Sequence, residues 1–235
     1  DVHAQLLGVV TLPGVTAVDF EDVAVAACPD ASGSCVWIAD TGNNDLDRTD
    51  QALYAFAEPA TSAAFGRIDA ARVWRFPVSF PGSAVDSEAL AVTPDASAAY
   101  LFEKTDPAEG ESARYFGYRA PFVDGQPKTL ELVGTMPSPG LAINKGRMIT
   151  AADIHPSGTR LLLRVYTGIF EYRLPAPWDL SGLATVAPTL VTYGPLEEPQ
   201  GEALGYSHDG RGLWTVSEDP AGQAPKPLLR YDCVQ

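Results

Sequence analysis

The feature that most constrains this chain is a pattern that recurs four times along it. Each copy opens with a short apolar run, passes through a turn, and enters a second apolar run. The openings are FEDVAVA from Phe20, SEALAVTPD from Ser87, ITAADIHPSG from Ile149 and GEALGYSHDG from Gly201. Their second positions, at intervals of 67, 62 and 52 residues, hold Glu21, Glu88, Thr150 and Glu202. A long repeat that contains only strand-like runs predicts a β-propeller, in which the same position of every blade faces one central channel.

Reading the runs in order predicts an all-β fold of four-stranded antiparallel blades, arranged as one β-propeller domain over residues 1–235. The many Gly and Pro residues (21 and 20) fit short strands joined by turns. The last repeat ends one strand short. We therefore expect the segment His3–Leu12 to pair beside PLLRYDC (from Pro227) and close a four-bladed ring, which removes exposed strand edges. Five blades are the alternative.

The charge of the chain argues against two classes of partner. The formal net charge is −14, with only 16 Lys and Arg residues. Nucleic acids and anionic membranes both attract clustered positive charge, so neither is an expected partner. No apolar run reaches the roughly 18 residues that a membrane-spanning helix needs. The expected partner is a small molecule or a protein that the sequence does not identify.

The cysteines bear on the compartment. Cys28 and Cys35 flank the turn PDASGS between two predicted antiparallel strands. A disulfide between them would predict a secreted or periplasmic protein, because such bonds persist in oxidising compartments. Two reduced, buried thiols are the alternative. Cys233 has no evident partner and is expected to be free.

The repeated acidic position predicts a cation site. Glu21, Glu88 and Glu202 should begin the innermost strands and converge on the channel, where like charges repel and favour a cation. Calcium is the expected ion, since it takes many oxygen ligands. In the alternative, these glutamates accept backbone N–H bonds from neighbouring blades.

A second candidate for calcium is the turn that follows the strand CVWIA. Its closely spaced oxygens could wrap a hard cation, although the spacing is not that of an EF-hand. The predicted ligands are Asp40, Asn43 and Asn44, helped by Glu21 and Asp22. An ordinary Asn/Asp/Gly-rich turn is the alternative.

A third constellation comes from aligning the ends of the second strands. This alignment places Asp40, Lys104, Tyr166 and Glu218 in one column, at one mouth of the channel. Such a mixture of donors and acceptors predicts a polar ligand site. Arg164 lies inside an apolar strand and is expected to pair with Asp153 or a channel glutamate, or else to bind phosphate. The predicted ligand-binding residues are Glu88, Lys104, Arg164, Tyr166, Glu202 and Glu218.

Several of these motifs resemble one family. ADTGNN, EALAV, TAADIHPSG, RVYTG, QGEAL and TVSED are similar to the strand openings of bacterial secreted β-propellers of the phytase-like and esterase-like kind. The resemblance runs from about Asp19 to Asp219. It implies calcium, a secreted or periplasmic location and a further blade. The phosphate-binding side chains of phytase propellers are not matched, because the chain has only four lysines.

Two functions follow as expectations. The first is a calcium-stabilised binding or scaffold module with a polar site at the channel mouth. The second is a metal-dependent phosphoesterase or esterase that uses Glu88, Glu202, Lys104, Arg164 and Tyr166. No Gly-x-Ser-x-Gly elbow and no phosphate-binding loop occurs in the sequence, which favours the first.

Overall fold

The computed structural model describes residues 6–60, 66–105, 112–143, 145–193, 198, 200–218 and 227–232. Within these ranges the regular elements are β-strands and one short 3-10 helix, Leu183–Thr185, with no α-helix. The strands in chain order are β1 (Gly8–Thr11), β2 (Phe20–Ala27), β3 (Ser34–Asp40), β4 (Ala52–Ala57), β5 (Gly66–Asp69), β6 (Val73–Ser79), β7 (Ser87–Val92), β8 (Ala98–Glu103), β9 (Ser112–Arg119), β10 (Lys128–Thr129), β11 (Glu131–Pro137), β12 (Ile149–Ile154), β13 (Arg160–Val165), β14 (Gly168–Arg173), β15 (Thr189–Tyr193), β16 (Gly201–Tyr206), β17 (Gly212–Ser217) and β18 (Leu229–Asp232).

Four antiparallel sheets form the blades of a β-propeller, as the repeat predicts. Blade one is β2-β3-β4-β6, with the two-residue β10 added in parallel outside β6. Blades two and three are β7-β8-β9-β11 and β12-β13-β14-β15, and blade four is β16-β17-β18 in the described residues. The first strands of the blades (β2, β7, β12 and β16, called the inner strands below) lie beside one another around the channel.

The predicted closure of the ring by the N-terminal strand is wrong for the residues that the structure describes. β1 does not pair with β18. It pairs in parallel with β5, in the register Gly8↔Gly66 to Thr11↔Asp69. β5 lies in the connection between β4 and β6 and is exposed along its length, so its backbone edge is available to β1. The sequence of β5, GRID, has one apolar residue and no alternation, and this is why the strand was not predicted.

Apolar side chains hold successive blades together. Between blades one and two, Trp37 of β3 is fully buried, stacks on Phe76 of β6 and packs edge-on against Phe122, with its ring centroid 4.9 Å from the Phe122 ring. A second buried cluster joins blades two and three, and a smaller one around Leu162 and Leu204 joins blades three and four. Among the described residues no such cluster joins blade four to blade one, and Val23 of β2 remains 52% exposed on that side.

Two aspartates, Asp22 (buried) and Asp153 (half-buried), link the inner strands by hydrogen bonds. Asp22 Oδ2 accepts the backbone N–H of Leu90 (2.7 Å) and of Ala152 (3.1 Å), while its Oδ1 accepts the N–H of Val23 (2.8 Å). Asp153 Oδ2 accepts the N–H of Tyr206 at 2.7 Å. In the alternative drawn from the sequence, the glutamates accept backbone N–H bonds from neighbouring blades. In the structure, Asp22 and Asp153 accept such bonds. Asp22 was predicted to help bind calcium, but its described contacts are those of a residue that links blades.

The disulfide prediction is confirmed. Cys28 and Cys35 are bonded across the turn between β2 and β3, with their Cα atoms 4.8 Å apart. Cys233 lies outside the described residues. No helix formed by the described residues is long and apolar enough to cross a membrane.

Candidate cation site at the channel mouth

The repeated glutamate position is a β-bulge in every blade. Each inner strand loses register with its neighbour after its first residue, so that its second residue has no partner in the ladder. These second residues are Glu21, Glu88, Thr150 and Glu202. A bulge re-aims the side chain that it carries. The position that recurs in the sequence is therefore a position released from normal strand pairing, at the end of the channel where all four inner strands begin (called the acidic mouth below).

Three acids come together at this mouth. Glu21, Asp86 and Glu88 each offer one carboxylate oxygen, and these atoms all lie within 4.8 Å of one another. Asp86 directly precedes β7, and its Oδ1 accepts the backbone N–H of Asn43 at 2.7 Å. We call these three residues the acidic cluster. Asp86 was not predicted, because it stands outside the repeated strand; its spacing of two residues from Glu88 is the signal that the sequence offers.

Gly42 makes room for this arrangement. A Cβ atom at this position would overlap Glu21 Oε1 and Asp19 Oδ2. Gly42 has an ordinary negative-φ backbone, so the glycine is needed for space and not for a turn. Asp19 therefore lies beside the cluster as a further carboxylate, and it contributes to the repulsion felt by Glu21.

The cluster binds protons far more tightly than ordinary carboxylates do. Burial, followed by repulsion from Glu88, Asp19 and Asp86, raises the pKa of Glu21 to about 9. Burial raises the pKa of Glu88 to about 8, although Lys104 acts in the opposite direction. Burial likewise raises the pKa of Asp86. Raised carboxyl pKa values mean that negative charge is poorly stabilised here, so a cation that neutralises it would bind favourably.

One oxygen of Glu88 stands out. Glu88 Oε1 forms an ion pair with Lys104, whereas Glu88 Oε2 is buried and has no hydrogen-bond partner in the described structure. Leaving a buried acceptor unpaired costs about 1–3 kcal/mol, and more for a charged group. The residue is only 3% exposed, so bulk water does not compensate for the missing partner.

A chain of polar contacts continues from the cluster across the mouth. Lys104 lies over the ring of Tyr166, with Nζ 5.7 Å from its centroid. The hydroxyl of Tyr166 donates to Glu202 Oε1 at 2.9 Å. Gln200 then donates from Nε2 to Glu202 Oε1 at 3.2 Å and also to Glu218. Of the four aligned strand ends, Lys104, Tyr166 and Glu218 lie along this chain of contacts, which also includes Glu202, whereas Asp40 pairs with Arg48. The role of these residues as a ligand site stays a prediction.

Arg164 does not belong to this mouth. Its guanidinium is fully buried and pairs with Glu198 Oε2 at 3.0 Å, in contact with Thr215. The predicted pairing with Asp153 or a channel glutamate is wrong for the described residues, because the carboxylate that pairs with Arg164 is that of Glu198. Gly201 provides the space, since a Cβ there would overlap the guanidinium. Its ligand-binding role has no support in these contacts.

The turn after β3 is held by its own hydrogen bonds. Asp40 Oδ1 accepts from Asp19 N–H (2.9 Å) and from Arg48 Nη2 (3.0 Å). Asn43 Oδ1 accepts the backbone N–H groups of Asp47 and Arg48, both at 2.9 Å. Asn44 is exposed. The calcium ligands predicted in this turn stay a prediction, and of that set Glu21 is the residue that lies in the acidic cluster.

The opposite end of the channel has a different character. There the inner strands end, and a cavity of about 680 Å³ is lined by residues of all four blades, Val92 of blade two and Ile154 of blade three included. It is lined mainly by apolar side chains, among them Val23, Val25 and Leu204, with Tyr206 and His208 at its polar side. We call this end the apolar mouth.

Comparisons with known proteins show only distant likeness. No protein-family model and no curated protein matches the sequence. Among solved structures, hydrazine synthase of Kuenenia stuttgartiensis matches with 16% identity and a TM-score of 0.40, over 94% of this chain and 49% of that chain. The periplasmic gluconolactonase PpgL of Pseudomonas aeruginosa matches with 12% identity and a TM-score of 0.46, over 90% and 57%.

A third match is the β-propeller domain of Cps50 (Swd1) from Myceliophteria thermophila, with 10% identity and a TM-score of 0.36, over 86% of this chain and 50% of that chain. The chain spans about half the length of these structures. At such low similarity the matches carry no argument about activity. The resemblance to phytase-like propellers stays a prediction.

Proposed function

We propose that this chain is a secreted or periplasmic β-propeller that binds a divalent cation, with calcium preferred, at the acidic mouth and acts as a binding or scaffold module. The observation that carries the proposal is the buried, unpartnered Glu88 Oε2 beside two further carboxylates. A bound cation would supply the partner that this oxygen lacks and would offset the repulsion between Glu21, Asp86 and Glu88.

The chemistry of the donors supports calcium. The cluster contains carboxylates alone, with no His or Cys, and hard cations such as calcium prefer oxygen ligands. Asp19 lies beside Glu21 over Gly42 and can add a further oxygen. The Cys28–Cys35 disulfide supports an oxidising compartment.

The phosphoesterase or esterase alternative has a weaker basis. Lys104 and Tyr166 lie next to the acidic cluster, as a catalytic site would require. Arg164, its second predicted anion-binding group, is buried and its charge is already paired with Glu198. An anionic ester would therefore meet a strongly negative site, which opposes its entry.

The experiment is isothermal titration of calcium into chelator-treated protein, with Glu88→Gln as the test variant and Glu131→Gln as the control. Glu131 is an exposed acid on β11, so its substitution removes the same charge away from the mouth. We expect one calcium site in the wild type and in Glu131→Gln, and loss of binding in Glu88→Gln.

Equal binding by all three proteins would refute the cation site. A screen for hydrolysis of nitrophenyl phosphate and nitrophenyl acetate, with and without chelator, separates the two functions. Calcium binding without turnover fits the binding module, whereas chelator-sensitive turnover that is lost in Glu88→Gln would establish the hydrolase instead.

A further inference from the structure

Lys104 is the one cationic side chain in contact with the acidic cluster among the described residues. Its ammonium pairs with Glu88 Oε1, and the side chains of Lys104 and Glu88 are 14% and 4% exposed. Glu88 Oε2 has no hydrogen-bond partner. The lysine therefore occupies one oxygen of the central glutamate and leaves the other for an ion.

The position of Lys104 is fixed from its other side as well. Its Nζ lies 5.7 Å from the centroid of the Tyr166 ring, and Tyr166 donates to Glu202 of blade four. An ammonium beside an aromatic face is stabilised by the ring quadrupole. These contacts support an ammonium that stays in place beside a bound ion.

The net charge of the acidic cluster and Lys104 bears on which ions the site binds. With an ion bound in place of their protons, the three carboxylates of the acidic cluster carry three negative charges, and the one ammonium in contact with them reduces this sum to two. A divalent ion matches that sum within the cluster, whereas without the lysine the same three carboxylates would match a trivalent ion; Asp19 beside Glu21 adds negative charge in both cases. Charge count is one of the properties by which oxygen sites tune their affinity for cations.

We propose that Lys104 is the specificity-determining residue of the site, and that it sets the preference for a divalent over a trivalent cation. This inference rests on the proposed cation binding. Its physical basis is that the repulsion between Lys104 and a bound ion is proportional to the charge of the ion. Removing the ammonium should therefore raise the logarithm of the binding affinity for both ions, and the increases for a divalent and a trivalent ion should stand in the ratio of two to three.

The test compares calcium and terbium(III) binding, by titration at one pH, in the wild type, Lys104→Gln and Lys128→Gln. Glutamine can still donate a hydrogen bond to Glu88 but carries no charge. If calcium affinity rises about tenfold in Lys104→Gln, terbium affinity should rise about thirtyfold. Lys128 lies on β10, outside blade one, so Lys128→Gln is a matched loss of one positive charge and should leave both affinities nearly unchanged.

Several outcomes would overturn the inference. Equal changes in the two affinities, or a fall in both, would mean that Lys104 only positions Glu88. Calcium binding by the wild type with an unchanged calcium-to-terbium ratio in Lys104→Gln would refute this inference and leave the proposed function standing. Binding of neither ion by the wild type would refute both.

A second variant covers the case in which Lys104→Gln does not fold, as judged by circular dichroism. Lys104→Arg keeps the charge and should keep the wild-type ratio of calcium to terbium affinity. A shift of that ratio of about threefold or more in Lys104→Arg would show that properties other than charge set the preference, and would overturn the inference.

Discussion

The two ends of the channel are built from the same four inner strands, yet they have opposite chemistry. At the acidic mouth these strands begin, and the second residue of each is a bulge that carries Glu in three blades. At the apolar mouth the strands end in regular pairing, and the cavity there is lined mainly by apolar side chains such as Val25.

The difference shows where this fold places polar groups at low cost. A regular ladder satisfies backbone groups and leaves alternate side chains to pack, which suits an apolar lining. A bulge takes one residue out of the ladder and turns its side chain elsewhere. Glu21, Glu88 and Glu202 can therefore converge on the channel while the flanking strand residues still pack between blades. If the comparison is correct, the two mouths should respond separately to ions, substitutions and pH.

The largest expected effect is the stabilisation by calcium. At a free concentration of one hundred times Kd, calcium should stabilise the protein by about 2.7 kcal/mol. For a domain of this size that corresponds to an increase in melting temperature of about 5–10 °C. Thermal melts with chelator and with calcium measure the difference. Glu88→Gln should abolish it, and Val25→Thr at the apolar mouth should not. A calcium response that survives Glu88→Gln would place the ion elsewhere.

The second-largest expected effect is the loss of stability on removing the disulfide at the apolar mouth. The disulfide joins the two strands of the β2–β3 hairpin at that end, and closing so short a loop should contribute about 2 kcal/mol. We expect Cys28→Ala/Cys35→Ala to lower the free energy of unfolding by about this amount, measured by urea denaturation, with calcium affinity unchanged. A large loss of calcium affinity in this variant would show that the two mouths are coupled.

The third effect tests the space beside Glu21. A Cβ at Gly42 would displace the carboxylates of Glu21 and Asp19, so Gly42→Ala should weaken calcium binding about tenfold, or about 1.4 kcal/mol. Gly205→Ala is the matched control at the apolar mouth, because a Cβ there would meet Asp153 Oδ2 at an ordinary 3.9 Å. Equal calcium affinities in the two variants, by titration, would contradict this role for Gly42.

The sequence predicts the blades well and the site in part. The recurring apolar runs locate the inner strands, and the recurring acid locates Glu21, Glu88 and Glu202 at one mouth. The bulge that re-aims these residues is not visible in the sequence, because it depends on how two strands pair.

Contacts from outside the repeat were the hardest to predict. Asp86 lies in a turn before β7, and Glu198 precedes β16, so no periodicity connects either one to its partner. Arg48, which engages Asp40, reaches it from a polar turn. Such pairings depend on loop conformation, and local propensity does not specify it. β5 was missed for a related reason, since it is a short exposed strand with no apolar alternation.

The smallest effect is a pH dependence that calcium should remove. Because the pKa of Glu21 is raised to about 9 and that of Glu88 to about 8, the folded protein binds more protons than the unfolded chain above the ordinary carboxyl pKa of 4.5. The free energy of unfolding must then fall as pH rises towards 9 in the presence of chelator, and Glu88 alone contributes about 1 kcal/mol of this fall between pH 7 and pH 8. Calcium replaces the protons and should flatten this slope.

The apolar mouth affects stability in a lower pH range, since burial raises the pKa of Asp153 to about 7. Urea denaturation at a series of pH values separates the contributions of the two mouths to the free energy of unfolding. Asp153→Asn should change the dependence on pH mainly below pH 7, and Glu88→Gln should change it mainly up to pH 8. A profile that calcium leaves unchanged would show that the raised pKa values at the acidic mouth are unrelated to an ion.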